Sequence, residues 1–267
     1  MMLLLLSIMS IINNNINGLS LQSIPFPYGK LDNFLSSQFA LELQNEILNI
    51  PTEEWDRYNN PFEQKYTLRN KYTFPYYLEK LFNELTCDEF VSKISKIVGY
   101  KLKLDDTRIF WGVHKYEYGD KLDIHVDVGF HPTLKMKKQV TLGIYLSYNW
   151  KEEYGCNLEI WSGENSYTND SMIFEKVDSI SPLFNRFILF TCNDYSWHGN
   201  PEPAKCPGDS KRIFLTLSYL SENYEDKNKR VKAFFVKRPQ DEDDEEKDKL
   251  RLLRADPDKY KNVYNIN

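Results

Sequence analysis

Residues 121–132 read KLDIHVDVGFHP, two histidines and two aspartates in one short stretch of a chain that has only four histidines. Within it, Ile124, Val126 and Val128 alternate with Asp123, His125 and Asp127. A two-residue period is that of a half-buried strand, with the apolar set on one face and the polar set on the other. An imidazole and a carboxylate two positions apart on one strand face can occupy adjacent positions on a single metal ion. Solvated polar residues on an exposed strand would show the same spacing, so H-x-D alone leaves both readings open.

The surroundings set the fold class. Downstream of Leu102 come short runs rich in β-branched and aromatic residues, separated by turn residues: TRIFWGVHKYEY, DIHVDVG, QVTLGIYLSY, NLEIWS, SMIFEKVD, RFILFTC and RIFLTLSYL. Many short strands at this spacing predict a sandwich, barrel or jelly roll. Upstream, the pattern predicts a short strand and then a helix over about 36–48, with helices over about 75–85 and 87–97 closed by Gly99. Between them, PTEEWDRYNNPFEQKYTLRN reads as a loop, with Pro51, Asn59, Asn60 and Pro61 as breakers. The expected fold is α+β with a mainly β core, a double-stranded β-helix (jelly roll, cupin-like) with N-terminal helices packed on it.

Three parts are expected: an N-terminal apolar and linker segment over 1–23, a domain over 24–238 and a charged tail over 239–267. The domain divides into a helical part over 24–100 and a jelly-roll core over 101–221. MMLLLLSIMSII is too short to span a bilayer, which takes about 20 residues. It resembles the apolar region of a signal peptide but lacks a basic start and a cleavage site. A membrane partner is expected only if this run is an anchor. The sequence does not fix localisation: the expectation is cytoplasmic or, if residues 1–12 act as a signal, secretory or ER. NNNINGLSLQS reads as a polar linker, and RPQDEDDEEKDKLRLLRADPDKY as a solvated charge run.

With 41% hydrophobic and 15% aromatic residues, the 267-residue chain can build a sizeable core. The net charge is −5 and Lys and Arg form no basic stripe, so nucleic acid is not an indicated partner. Cys87, Cys156, Cys192 and Cys206 form no C-x-x-C pair, which excludes a zinc ribbon.

His198 follows the strand RFILFTC and is the candidate third ligand. Two histidines and a carboxylate make the facial triad of non-haem Fe(II) oxygenases, with positions left open opposite the protein ligands. Arg212 opens RIFLTLSYL and would point inward. A buried guanidinium requires an anion, and its planar fork suits a carboxylate. Pairing with an acidic loop is the alternative.

The segments NPFEQKYTL, GDKLDIHVDVGFHP, IYLSYNWKEEYGCNLEIW, PLFNRFILF, SWHGNPEPAKCPGDSKR and FFVKRP together resemble the 2-oxoglutarate- and Fe(II)-dependent dioxygenases of the prolyl 4-hydroxylase-like family. The resemblance spans about 24–238 and is strongest over 110–221. It implies His125, Asp127 and His198 as iron ligands and catalytic centre, and Arg212 as the partner of the distal 2-oxoglutarate carboxylate. Tyr145 would add a hydroxyl there, Tyr116 and Thr216 match positions near the cosubstrate, and Leu158 would be a pocket wall. Fe(II), 2-oxoglutarate and O2 are the implied cofactors, and ascorbate is a further expectation. The implied activity couples oxidative decarboxylation of 2-oxoglutarate, to succinate and CO2, with hydroxylation of a peptidyl proline or a small molecule. Hydroxylation of a free amino acid, sugar or metabolite, and a non-catalytic metal-binding jelly roll, are the alternatives.

The pattern departs at Phe214, where relatives often carry a small Ser, and at Asn157, which replaces a common Gly. The presence of Asp127 argues against a halogenase. Among the remaining polar residues, His114 reads equally as pocket wall or core. His131 reads as a loop anchor and Asp123 as solvent-exposed. Trp197 and Asn200 flank His198, and GNPEPAKCPGD reads as a substrate or lid loop.

Overall fold

The chain runs β1 (Tyr28–Leu31), α1 (Ser37–Leu48), β2 (Trp55–Asn60), β3 (Glu63–Leu68), α2 (Tyr76–Thr86), α3 (Asp88–Val98), β4 (Trp111–Tyr116), β5 (Lys121–Val126) and β6 (Lys137–Tyr145). It continues through β7 (Leu158–Gly163), β8 (Ile173–Ile180), β9 (Arg186–Thr191), β10 (Trp197–Asn200), β11 (Arg212–Ser221), β12 (Phe234–Phe235) and α4 (Glu245–Ala255). The computed structural model describes residues 11–69, 72–165, 172–222 and 232–255.

The strands pair in the order β1-β9-β6-β11-β4-β3-β5-β10-β7-β8, with β2 added to β3 and β12 to β5. Every pairing is antiparallel. One half, β1-β9-β6-β11-β4, faces the other, β5-β10-β7-β8, and β3 joins them by pairing with both β4 and β5. This is a double-stranded β-helix with helices, the jelly roll among the sandwich, barrel and jelly roll that the strand pattern predicts.

Strand alternation divides the larger half into two faces. Val113, Val140, Leu142, Ile144, Phe187, Leu189, Ile213, Leu215 and Leu217 join one core cluster with the helices. Residues of opposite parity, among them His114, Tyr145, Ile188, Phe190, Arg212 and Thr216, line a cavity between the two halves. The helices therefore brace the sheet from behind and leave its concave face free for chemistry.

Helices α1, α2 and α3 each contribute a narrow apolar stripe to the core they share with that sheet. In α1 the buried residues are Phe39, Ala40, Leu43 and Ile47, and in α2 Leu78, Leu81, Phe82 and Leu85. Full burial of such an aliphatic or Phe side chain contributes about 1.5–3 kcal/mol. Leu48, the last residue of α1, falls off this stripe and is 46% exposed. α3 ends on Gly99 at φ 73°, the left-handed conformation that a helix C-terminus favours in glycine.

Three expectations need correction. The segment over 51–70, read as a loop, contains the β2–β3 hairpin. Its breakers make the turn, because the Asn60 carboxamide oxygen accepts the Phe62 and Glu63 N–H groups at 3.0 and 3.2 Å. The polar linker after residue 12 is part of the fold: Ile16 and Leu19 are buried in the core with Ile11 and Ile12. The apolar run read as a signal or anchor lies outside the described residues up to residue 10. The charged segment after 239 is not simply solvated, because α4 packs on β12 and buries Arg254. Among the described residues no helix is long and apolar enough to cross a membrane.

Candidate active site

β5 and β10 are neighbours, and their register places His198 directly opposite His125. The imidazole centroids are 4.5 Å apart. Asp127 lies just past the end of β5, with its Oδ1 3.6 Å from His125 Nε2. The ligand atoms of His125, Asp127 and His198 all lie within 4.8 Å of one another, the one such cluster among the described residues.

The tautomers are set by main chain. His125 Nδ1 lies 2.9 Å from the Asp123 carbonyl oxygen, and His198 Nδ1 lies 2.8 Å from that of Ser196. A carbonyl only accepts, so each Nδ1 carries the proton and each Nε2 keeps its lone pair. Phe190 packs on His198 at 4.4 Å and Phe235 on His125 at 5.2 Å, which confines the rings. Burial, followed by the neighbouring His125, pulls His198 down to about 4, so it is neutral at pH 7. Burial pushes Asp127 upward, but the Lys138 ammonium and the two imidazoles outweigh it and hold the carboxyl well below its usual range. Two imidazole nitrogens and one carboxylate are a donor set that fits Fe(II).

The triad sits in a cavity of about 330 Å³. Arg212, 1% exposed, stands on its wall. Its Nη2 donates to the Tyr145 hydroxyl at 3.4 Å, while Nε and Nη1 have no hydrogen-bond partner among the described residues. The guanidinium is walled by Tyr116, Tyr145 and Phe214, with ring centroids 4.6, 5.0 and 5.4 Å away. A buried cation with unsatisfied donors is incomplete as it stands, and a carboxylate entering the cavity would complete it. Burial pushes the Tyr145 phenol up to about 12 against the pull of Arg212, so it is a neutral O–H available to the same anion.

Tyr116, Thr216 and Leu158 also line the cavity, and Thr216 Oγ1 lies 3.4 Å from His114 Nε2. His114 is thus pocket wall, held well below its ordinary value by burial and by Lys65 and Arg212. Phe214 stacks on Tyr145 at 4.5 Å. Gly143 makes room for it: a Cβ there would lie 2.3 Å from Phe214 Cζ. Asn157 does not line the cavity and bonds Ser179 instead.

Other polar residues sort differently. His131 is fully buried away from the triad, its Nε2 3.0 Å from Asp105 Oδ1 and 2.9 Å from Thr107 Oγ1, and it anchors a loop. Asp123, expected at the surface, is 6% exposed and paired with Lys121 at 2.9 Å and Lys247 at 2.6 Å. The α4 helix covers it. Trp197 points away and donates to the Glu164 carbonyl, whereas Asn200 faces the cavity and donates to Cys156 Sγ. The loop after Asn200 is tied down: Ala204 N–H bonds the Asp120 carbonyl and Gly119 N–H bonds that of Ala204.

Sequence reasoning missed Lys138, whose Nζ lies 2.6 Å from Asp127 Oδ2. Alternation along β6 places Lys138 with Val140 on the helix side. A β-bulge turns it round: Tyr219 pairs with Val140 and Leu220 with Lys138, leaving Gln139 as the extra residue. Phe235 and Lys247 were missed as well, because they lie in the segment read as outside the core.

Residues 111–220 match the model of the 2OG-Fe(II) oxygenase superfamily. No curated protein sequence is significantly similar to the chain. Among solved structures, it is similar to a Pseudomonas putida prolyl-4-hydroxylase, at 17% identity over 73% of this chain and 93% of that one, with a TM-score of 0.54. A Trichoplax adhaerens prolyl hydroxylase, solved with a hypoxia inducible factor oxygen degradation domain peptide, shares 20% identity over 73% and 84%, TM-score 0.53. A Phytophthora capsici prolyl 4-hydroxylase shares 17% identity over 88% and 75%, TM-score 0.52. These likenesses are of fold; the family match and the His125–Asp127–His198 geometry carry the chemistry. Residues 111–220, which hold the triad and Arg212, are thus similar to the 2OG-Fe(II) oxygenase superfamily.

Proposed function

We propose that the protein is an Fe(II)- and 2-oxoglutarate-dependent hydroxylase of the prolyl 4-hydroxylase-like type, with His125, Asp127 and His198 as the iron ligands. One observation carries this reading: a His–Asp–His cluster and a buried guanidinium with unsatisfied donors share a single cavity. Bound Fe(II) and 2-oxoglutarate supply the oxidising chemistry, in which decarboxylation to succinate and CO2 accompanies hydroxylation of the substrate.

The residues do the rest. His125 and His198 present their Nε2 atoms to the metal, and His198 needs no deprotonation at neutral pH. Asp127 supplies one carboxylate oxygen and the charge. Arg212 and the Tyr145 hydroxyl hold the distal carboxylate of the cosubstrate, with Tyr116 and Thr216 flanking it. Leu158, Ile188 and Phe190 line the same cavity with apolar surface and exclude water from the reacting end. The substrate is a peptidyl proline, by analogy with the fold relatives.

The test is succinate release from 2-oxoglutarate by purified protein with Fe(II) and ascorbate. Proline-containing peptides, free amino acids, sugars and metabolites are screened alongside for a 2-oxoglutarate-dependent gain of one oxygen. Turnover that disappears in Asp127→Ala is the expected result. Metal binding with no succinate under any condition would favour the non-catalytic jelly roll, and oxygen gain only on small molecules would remove the proline assignment.

A further inference from the structure

The lysine beside the triad has no assigned role. Lys138 Nζ contacts Asp127 Oδ2 at 2.6 Å, and its side chain is only 9% exposed. The β6 bulge aims it into the cavity, the Phe110 ring lies 5.3 Å from its ammonium, and the Lys138 N–H is tied to the Gly129 carbonyl at 2.9 Å. The two oxygens of Asp127 are thus divided: Oδ2 goes to the lysine, while Oδ1 turns toward His125 Nε2.

We propose that Lys138 is the built-in counter-ion of Asp127 in the metal-free protein, and that it thereby limits how tightly the site holds a divalent cation. This rests on the reading of the triad as a metal site. The ammonium compensates the charge of a carboxylate that lines a largely buried cavity. A divalent cation arriving at Oδ1 must share one carboxylate with an ammonium on the adjacent oxygen. Two like charges so placed, in a site with little water to screen them, repel.

Lys138 also helps to orient Asp127, which would favour metal binding, so the two contributions have opposite signs. Orientation has a second support in Thr141, whose hydroxyl reaches Asp127 Oδ2 at 3.4 Å. Charge therefore dominates, and neutralising the lysine tightens metal binding.

Full-length protein stripped of metal, with Co(II) as the probe, provides the test. Lys138→Met is compared with Lys138→Arg and Lys138→Gln by calorimetric titration and thermal melting. Lys138→Met is expected to bind Co(II) at least about tenfold more tightly, the equivalent of 1.4 kcal/mol. Its metal-free form should melt at lower temperature and gain more from Co(II) than the wild type gains. Lys138→Arg should stay within about threefold of the wild type, since it keeps the charge. If Lys138→Met folds only with Co(II) present, the same linkage is seen in its extreme form, and Lys138→Gln supplies the affinity. Unchanged or weaker Co(II) binding by both neutral variants overturns the proposal while leaving the metal site standing. A wild type that binds no Co(II) sinks the metal site and this inference together.

Discussion

His125 and His198 face each other as a cross-strand pair of β5 and β10, and both are oriented in the same way. Each donates from Nδ1 to the carbonyl oxygen of the residue two positions before it, Asp123 and Ser196. Main chain, which no side-chain substitution removes, thus selects the Nε2 tautomer at both positions.

Loss of either ring should therefore be felt as loss of a ligand rather than loss of fold. His198→Ala is expected to weaken Co(II) binding at least about a hundredfold, beyond the 10–100-fold typical of an outer-shell partner. Circular dichroism should remain that of the wild type. Retention of wild-type affinity would remove His198 from the site.

Arg212 gives a prediction with an unusual sign. Its buried guanidinium has donors without partners among the described residues, so in the absence of 2-oxoglutarate Arg212→Met should be more stable by on the order of 1–3 kcal/mol and melt at a higher temperature. The same variant should lose the stabilisation that 2-oxoglutarate confers on the metal-loaded wild type, and its cosubstrate requirement should rise at least about tenfold. Thermal melts with and without 2-oxoglutarate measure both, and an undiminished response to the cosubstrate counts against the assignment.

Gly143 and Phe214 should behave as a coupled pair. Gly143→Ala drives a methyl into the Phe214 ring and should destabilise by about 1–3 kcal/mol. Adding Phe214→Ser should recover most of that loss, because the clash is with the ring. Additive losses in the double variant would show that the two side chains do not compete for the same space.

The C-terminal segment should contribute to the site although it lies beyond residues 111–220. Phe235 stacks on Phe62 at 5.0 Å and packs on His125, and Lys247 clasps the Asp123 carboxylate. Phe235→Ala is expected to cost about 3–5 kcal/mol of stability and to weaken Co(II) binding as the His125 ring loses its support. Chemical denaturation gives the first and metal titration the second; a stability loss with untouched metal affinity would confine Phe235 to the core.

Much of this was legible in local pattern. The two-residue alternation in KLDIHVDVGFHP places His125 opposite in phase to Val126, and the short β-rich runs carry the jelly roll, because side-chain direction on a strand follows from period alone. The helical stripes of α1 and α2 are visible for the same reason, as is the parity that sends Arg212, Tyr145 and Thr216 to the concave face. Local pattern fails where one residue breaks the period or where a partner is remote. The extra residue at Gln139 reverses Lys138, and no propensity in KMKKQV marks a bulge. Asn60 and Pro61 interrupt a run and so read as a loop, yet they join two strands that pair only across the turn. Asp123 looks exposed until α4, more than a hundred residues later, lays Lys247 against it.

The residue types able to bind iron and a dicarboxylate, and the faces they occupy on their own strands, were thus determined by sequence. Which of them meet was decided by tertiary structure, because strand neighbours in a double-stranded β-helix are distant in the chain. The charge balance at Asp127 arises only once β5, β6 and β10 have come together.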